Sequence, residues 1–180
     1  CAHTYTNHFF NNTDTDKEHG NKITFPMTCR IWGVFVRADF NDSDFAVHLY
    51  NASGTPQDTS ANRLATSGTL DGFWYSSAIA SYVVPFTSRV TVDAGSTYRL
   101  TVEPKSGTDV VCQGITEGMS GLLAVNFDDS VIHTEDDGDS GWTDSSGEAL
   151  MLVPMVDCFD DGAGGGGGGI AQLVDGGLVA

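Results

Sequence analysis

Apolar and polar residues alternate with a period of two in several stretches of this chain. Phe45, Val47 and Leu49 alternate with Ala46, His48 and Tyr50, and Tyr98, Leu100 and Val102 alternate with Arg99, Thr101 and Glu103. Successive side chains of a strand point to opposite faces, so this pattern predicts half-buried strands. In residues 30–37, Arg-Ile-Trp-Gly-Val-Phe-Val-Arg, nearly every position is apolar, as in a strand covered on both faces, which makes Trp32 a core residue. Further strands are predicted at 4–10, 22–28, 81–86, 89–92, 109–112, 122–127 and 150–158. Only 59–66 and 75–80 have the make-up of a brief helical turn. Between these runs sit clusters such as Asn51-Ala52-Ser53-Gly54 and Asp93-Ala94-Gly95-Ser96, the residue types that turns require. Pro85 and Pro154 cannot donate to a ladder and mark edges or bulges. Many short strands without strand–helix alternation predict an all-β fold, an antiparallel β-sandwich of jelly-roll type over residues 1–161.

After Asp160-Asp161 the composition changes. Gly162-Ala163 is followed by six glycines, Gly164 to Gly169, and then by a short apolar stretch. Poly-Gly has the largest conformational freedom of any sequence, so residues 162–180 are expected to form a tether. Its tip carries Ile170, Leu173, Val174, Leu178 and Val179, which are costly to leave in water and are the expected docking residues for a partner. Charge is uneven too. The whole chain carries 8 Lys+Arg against 24 Asp+Glu, a formal net charge of −16, and no Lys or Arg follows Lys105. Such a balance repels polyphosphate and argues against nucleic acid and anionic membranes as partners. No apolar run has the roughly 18–20 residues needed to cross a bilayer.

Two resemblances follow. The ending Asp160-Asp161-Gly162-Ala163 with its glycines and Gly176-Gly177-Leu178-Val179-Ala180, Pro85-Phe86 leading to residues 92–104, and Gly141-Trp142-Thr143-Asp144 resemble small accessory virion proteins of tailed bacteriophages. That resemblance implies capsid decoration, a head or tail fibre, or a host-surface adhesin. Such a protein would be non-enzymatic, located on the virion surface, and assembled with other virion proteins or with itself as a homo-oligomer. Residues 44–54 and the Ala-Gly-x-x-Tyr-x-Leu-x-Val run of residues 94–102 are similar to carbohydrate-binding-like jelly-roll modules of secreted bacterial proteins. Here the implied function is glycan binding in a secreted or cell-surface protein.

Strong enzymatic signatures are absent: there is no G-x-S-x-G, no H-E-x-x-H, no P-loop and no G-x-G-x-x-G following a predicted strand and opening a helix. Cys1, Cys29, Cys112 and Cys158 are too far apart for a zinc knuckle or redox motif and are expected as reduced thiols. The histidines, His3, His8, His19, His48 and His133, are scattered, with no carboxylate or Cys at ligand spacing beside the His3/His8 pair. His48 is placed on the outer face of its strand. Two candidate sites remain. Phe73-Trp74-Tyr75, after the turn dipeptide Asp71-Gly72, and Trp142 are aromatic platforms of the type that stack on a pyranose. Asp39, Asn41, Asp42 and Asp44 offer oxygens to Ca2+, the one cofactor the residues suggest, although none of the acidic clusters matches an EF-hand loop.

Overall fold

A computed structural model describes residues 5–13, 17–75, 78–106, 108–116, 131–136, 141–146 and 148–157. Twelve strands are found among them: β1 (Tyr5–Phe10), β2 (His19–Thr24), β3 (Cys29–Asp39), β4 (Phe45–Asn51), β5 (Arg63–Thr66), β6 (Ala80–Val92), β7 (Thr97–Pro104), β8 (Val110–Thr116), β9 (Val131–Asp136), β10 (Trp142–Ser145), β11 (Glu148–Leu150) and β12 (Leu152–Asp157). A 3-10 turn, Gly72–Tyr75, precedes β6. No helix among the described residues is long and apolar enough to cross a membrane. The predicted tether and its tip, residues 162–180, lie outside the described residues, as do Cys1, Cys158, His3 and the strand expected at 122–127.

The pairing is that of a jelly roll. β1 pairs with β8, β2 with β7, β3 with β6 and β4 with β5, all antiparallel. Partners run in reverse order along the chain, from Tyr5 with Ile115 through His19 with Val102 and Cys29 with Val92 to His48 with Thr66. One long antiparallel ribbon, folded at the β4–β5 loop, has thus been rolled so that alternate pairs fall into two sheets. One sheet has the order β10-β9-β2-β7-β4-β5, and the other contains β1, β8, β3, β6, β11 and β12. Between them lies a core that includes Phe10, Ile31, Val34, Val47, Leu49, Leu100, Val102 and Val110.

The second sheet forks. β8 pairs with β3 only at Ala38 and Asp39, and the chain of β11 and β12 enters the fork. β11 follows β8 and β12 follows β3, while Met151 between them donates N–H to the Gln113 carbonyl and accepts from Arg37 N–H. The wedge is held from the opposite sheet by Asn21, which is fully buried. Its Nδ2 donates to the carbonyls of Leu150 (2.9 Å) and Leu152 (3.1 Å), and its Oδ1 accepts the Leu150 N–H at 2.8 Å.

Several expectations are corrected. Residues 59–66 are not helical: Arg63–Thr66 is strand β5, paired with β4. The brief turn expected at 75–80 lies earlier, at Gly72–Tyr75. The runs 81–86 and 89–92 are one strand, β6, and Pro85 sits where its register with β3 shifts. Pro154 lies on β12, next to a register shift at Met155/Val156. Trp32 is outside the core, half-buried beside the inward-facing Ile31. β4 is buried on both faces, because His48 and Tyr50 face away from the core yet are covered. Cys29 and Cys112 are free thiols buried in the core, and burial pushes the Cys112 thiol up to about 12.

Two outcomes follow. Asn21→Ala leaves the Leu150 N–H without its acceptor inside the sandwich, and the urea midpoint should fall by the equivalent of about 2–3 kcal/mol. Iodoacetamide at pH 8 should leave Cys112 unmodified in the native protein and alkylate it in urea, as read by peptide mass mapping.

Candidate functional site

At one end of the sandwich residues 40–44, 67–75 and 105–106 are tied together. Leu70 and Phe45 exchange backbone hydrogen bonds at 2.7 and 3.1 Å, Lys105 N–H donates to the Asp44 carbonyl at 2.6 Å, and the Ser43 and Ser106 hydroxyls meet at 2.7 Å. The Gly72–Tyr75 turn lies directly on loop 40–44. A Cβ on Gly72 would stand 2.0 Å from the Ser43 carbonyl oxygen, so only glycine permits this approach. Asp44 Oδ1 accepts the Gly72 N–H and Asp71 Oδ1 accepts the Phe73 N–H.

This bracing fixes the predicted aromatic triplet in two roles. Tyr75 turns inward and packs edge-on against Phe45 and Tyr82, with ring centroids 5.2 and 5.3 Å away. Phe73 and Trp74 turn outward, 68 % and 76 % exposed, with their rings edge-to-face at 5.4 Å. Trp142 is elsewhere. It lies on the outer face of the β4-containing sheet, its Nε1 donating to the Gly54 carbonyl at 2.8 Å, its ring near Tyr50 and under the Arg99 guanidinium. Its neighbours are structural, and it is not brought to Phe73 and Trp74.

The acidic loop beside the aromatic turn uses its oxygens for its own conformation. Asp39 Oδ1 accepts the Asn41 N–H, and Asn41 and Asp42 occupy the left-handed region at φ 46° and 60°, which short polar side chains tolerate. Together with Asp44 on Gly72, these residues set the loop that carries the aromatic turn. Among the described residues, the one group of three or more His, Cys, Asp or Glu side chains placed to share a metal ion is His8, His19 and His133, not this loop.

Loop 51–62 covers the outer face of the β4 sheet, and a polar network lies beneath it. Glu18 is completely buried, accepting from Gln57 N–H at 2.7 Å, from the Thr101 hydroxyl and, at 3.4 Å, from the Tyr50 hydroxyl. Burial, opposed by these hydrogen bonds and assisted by the nearby Glu103 charge, raises Glu18 to about 7. His48 meets Glu103 at 2.7 Å, and burial lowers its pKa. At the sheet margin Asp144 binds Arg99, Lys22 and Thr134; although burial opposes it, these partners hold its carboxyl well below the usual range.

Three of the histidines read as scattered are brought together, whereas His48 lies apart with Glu103. His8 of β1, His19 of β2 and His133 of β9 place ring nitrogens within 4.8 Å of one another inside the sandwich. Sequence spacing could not reveal this, because the three strands meet only when the roll closes. No protein-family model matches the chain, and no curated protein matches it in sequence.

The raised Glu18 sets a pH test. Its folded pKa lies above the ordinary 4.5, so between about pH 4.5 and 7 the native state holds a proton that the unfolded state has lost, and this group's contribution falls as pH rises. Buried His48 and His133, with lowered pKa values, act oppositely below about pH 6.5, so the informative quantity is a difference. The stability of Glu18→Gln relative to wild type should increase by about 2–3 kcal/mol from pH 4.5 to 7.5 in urea titrations, whereas a flat difference contradicts the assignment.

Proposed function

We propose that the protein is a non-enzymatic recognition module, a jelly-roll adhesin carried on a particle such as a phage virion, which presents Phe73 and Trp74 to a glycan. The observation that carries this reading is the exposed Phe73–Trp74 pair on a braced turn. Two large rings left in water cost hydrophobic free energy, and here they are also held in place by Gly72 against Ser43 and by Tyr75 in the aromatic cluster. A rigid ring face loses little entropy when a pyranose stacks on it, and Asp71 beside it offers a carboxylate to sugar hydroxyls. The acidic charge of the chain fits a neutral sugar better than a sialylated or sulfated one. The Gly-rich sequence of residues 162–180, which carries the apolar Ile170, Leu173, Val174, Leu178 and Val179, supports attachment to a particle or to sister subunits.

The experiment is a glycan array followed by titration of the best neutral oligosaccharide, monitored by tryptophan fluorescence. Trp74→Ala should weaken binding at least about tenfold with an unchanged melting temperature, because the side chain supports nothing beneath it. Truncation after residue 161 should leave glycan binding intact and abolish particle attachment or self-association in light scattering. Equal binding by wild type and Trp74→Ala would remove the aromatic turn from the reading.

A further inference from the structure

The sandwich interior contains a second constellation that the recognition reading does not use. His8, His19 and His133 come from three strands in both sheets, and their ring nitrogens lie within 4.8 Å of one another, close enough to converge on one ion with modest ring rotation. The ring centroids of His8 and His133 are 4.7 Å apart, and those of His19 and His133 are 5.5 Å apart. His133 is 3 % exposed, and its Nε2 has no hydrogen-bond partner among the described residues. A buried ring nitrogen without a partner has lost its water with no replacement, unless a ligand supplies one.

The surroundings are those of a metal site. Glu148 Oε1 lies 2.9 Å from His8 Nε2. A neutral His8 donating that N–H keeps its lone pair on the other ring nitrogen, the carboxylate–histidine arrangement that orients metal-bound imidazoles. Room for this pair depends on Gly114, where a Cβ would stand 2.9 Å from both atoms. Glu135 Oε2 stands 3.7 Å from His19 Nδ1, and Phe10 stacks on the His19 ring at 4.2 Å, adding an apolar wall. Three imidazoles with two carboxylates behind them suit a dication. Nitrogen donors select the transition metals, because Ca2+ and Mg2+ take oxygen.

We propose that His8, His19 and His133 form a binding site for a divalent transition-metal ion of the Zn2+ class, which links the two sheets across the sandwich interior. Glu148 is a positioning residue for His8. Three protein ligands leave a fourth position for water.

The test uses the untagged full-length chain, stripped with a chelator that is then removed. Calorimetric titration with ZnCl2 should show one ion per chain, Co2+ should give the intense visible bands of a low-coordinate site, and Zn2+ should raise the melting temperature. CaCl2 and MgCl2 should do none of these. His133→Gln and the half-buried His8→Gln should each weaken Zn2+ binding more than about a hundredfold, with circular dichroism confirming the fold. If His133→Gln fails to fold, His8→Gln and the wild-type Co2+ spectrum decide. Absence of Zn2+ binding at micromolar concentrations, a hydrated-ion Co2+ spectrum, or wild-type affinity in His8→Gln overturns the proposal. Trp74→Ala should bind Zn2+ as wild type does, which separates this outcome from the glycan result.

Discussion

Backbone groups taken out of water must find partners, and among the described residues β1 to β8 find them along one antiparallel ribbon doubled back at the β4–β5 loop. Rolling that ribbon creates two sheets whose inward faces bury Val47, Leu49, Leu100 and Val102. It also decides which distant residues become neighbours. Residues 40–44 and 67–75 come to the same end because β3 pairs with β6 and β4 with β5, and this sets the Phe73–Trp74 turn on Ser43 and Asp44. The three histidines converge for the same reason: β1 and β2 lie in opposite sheets with β9 beside β2.

Polar groups inside and over this frame are mostly paired. Asn21 uses both ends of its amide to hold the β11–β12 wedge, and the Glu18 network fills the space under loop 51–62. Paired buried polar groups contribute little net stability but are costly when a partner is removed, so they specify one arrangement of the loops and the wedge. On the same inward face stand His19 on β2 and, directly opposite Asn21 on β9, His133; the Nε2 of His133 has no hydrogen-bond partner among the described residues. The contrast between a satisfied amide and an imidazole with an unpartnered Nε2, facing each other on one β2–β9 rung, distinguishes a structural polar group from one available to a ligand.

Much of the sandwich was legible because alternation is a direct consequence of strand geometry. The runs at 45–50 and 98–103 became β4 and β7, and the exposed Phe73 and Trp74 follow from the Asp71-Gly72 turn dipeptide. What could not be read depends on partners. Arg63-Leu64-Ala65-Thr66 is too short and polar to announce a strand, and only β4 makes it one. Val131–Asp136 and Trp142–Ser145 carry too many polar residues to stand out as strands, yet they extend the sheet beyond β2. Trp32 read as core because its neighbours are apolar; the period of two carries Ile31 inward and Trp32 out. The histidine site lacks a sequence signal because its spacing is set by sheet closure.

The rolled ribbon also imposes an order of events on the chain. Its shortest-range pairing, Tyr50 with Arg63, can form early, whereas Tyr5 must wait for Ile115. Loop-closure entropy favours zippering from the β4–β5 hairpin outward, with β1 added among the last elements. During biosynthesis β1 therefore spends the time until β8 emerges as an unpaired strand carrying Tyr5 and Phe9. Once β8 emerges, an unpaired β1 of a neighbouring copy competes for the same place on it, so the topology that closes the native sandwich makes strand exchange between neighbouring chains the characteristic folding error.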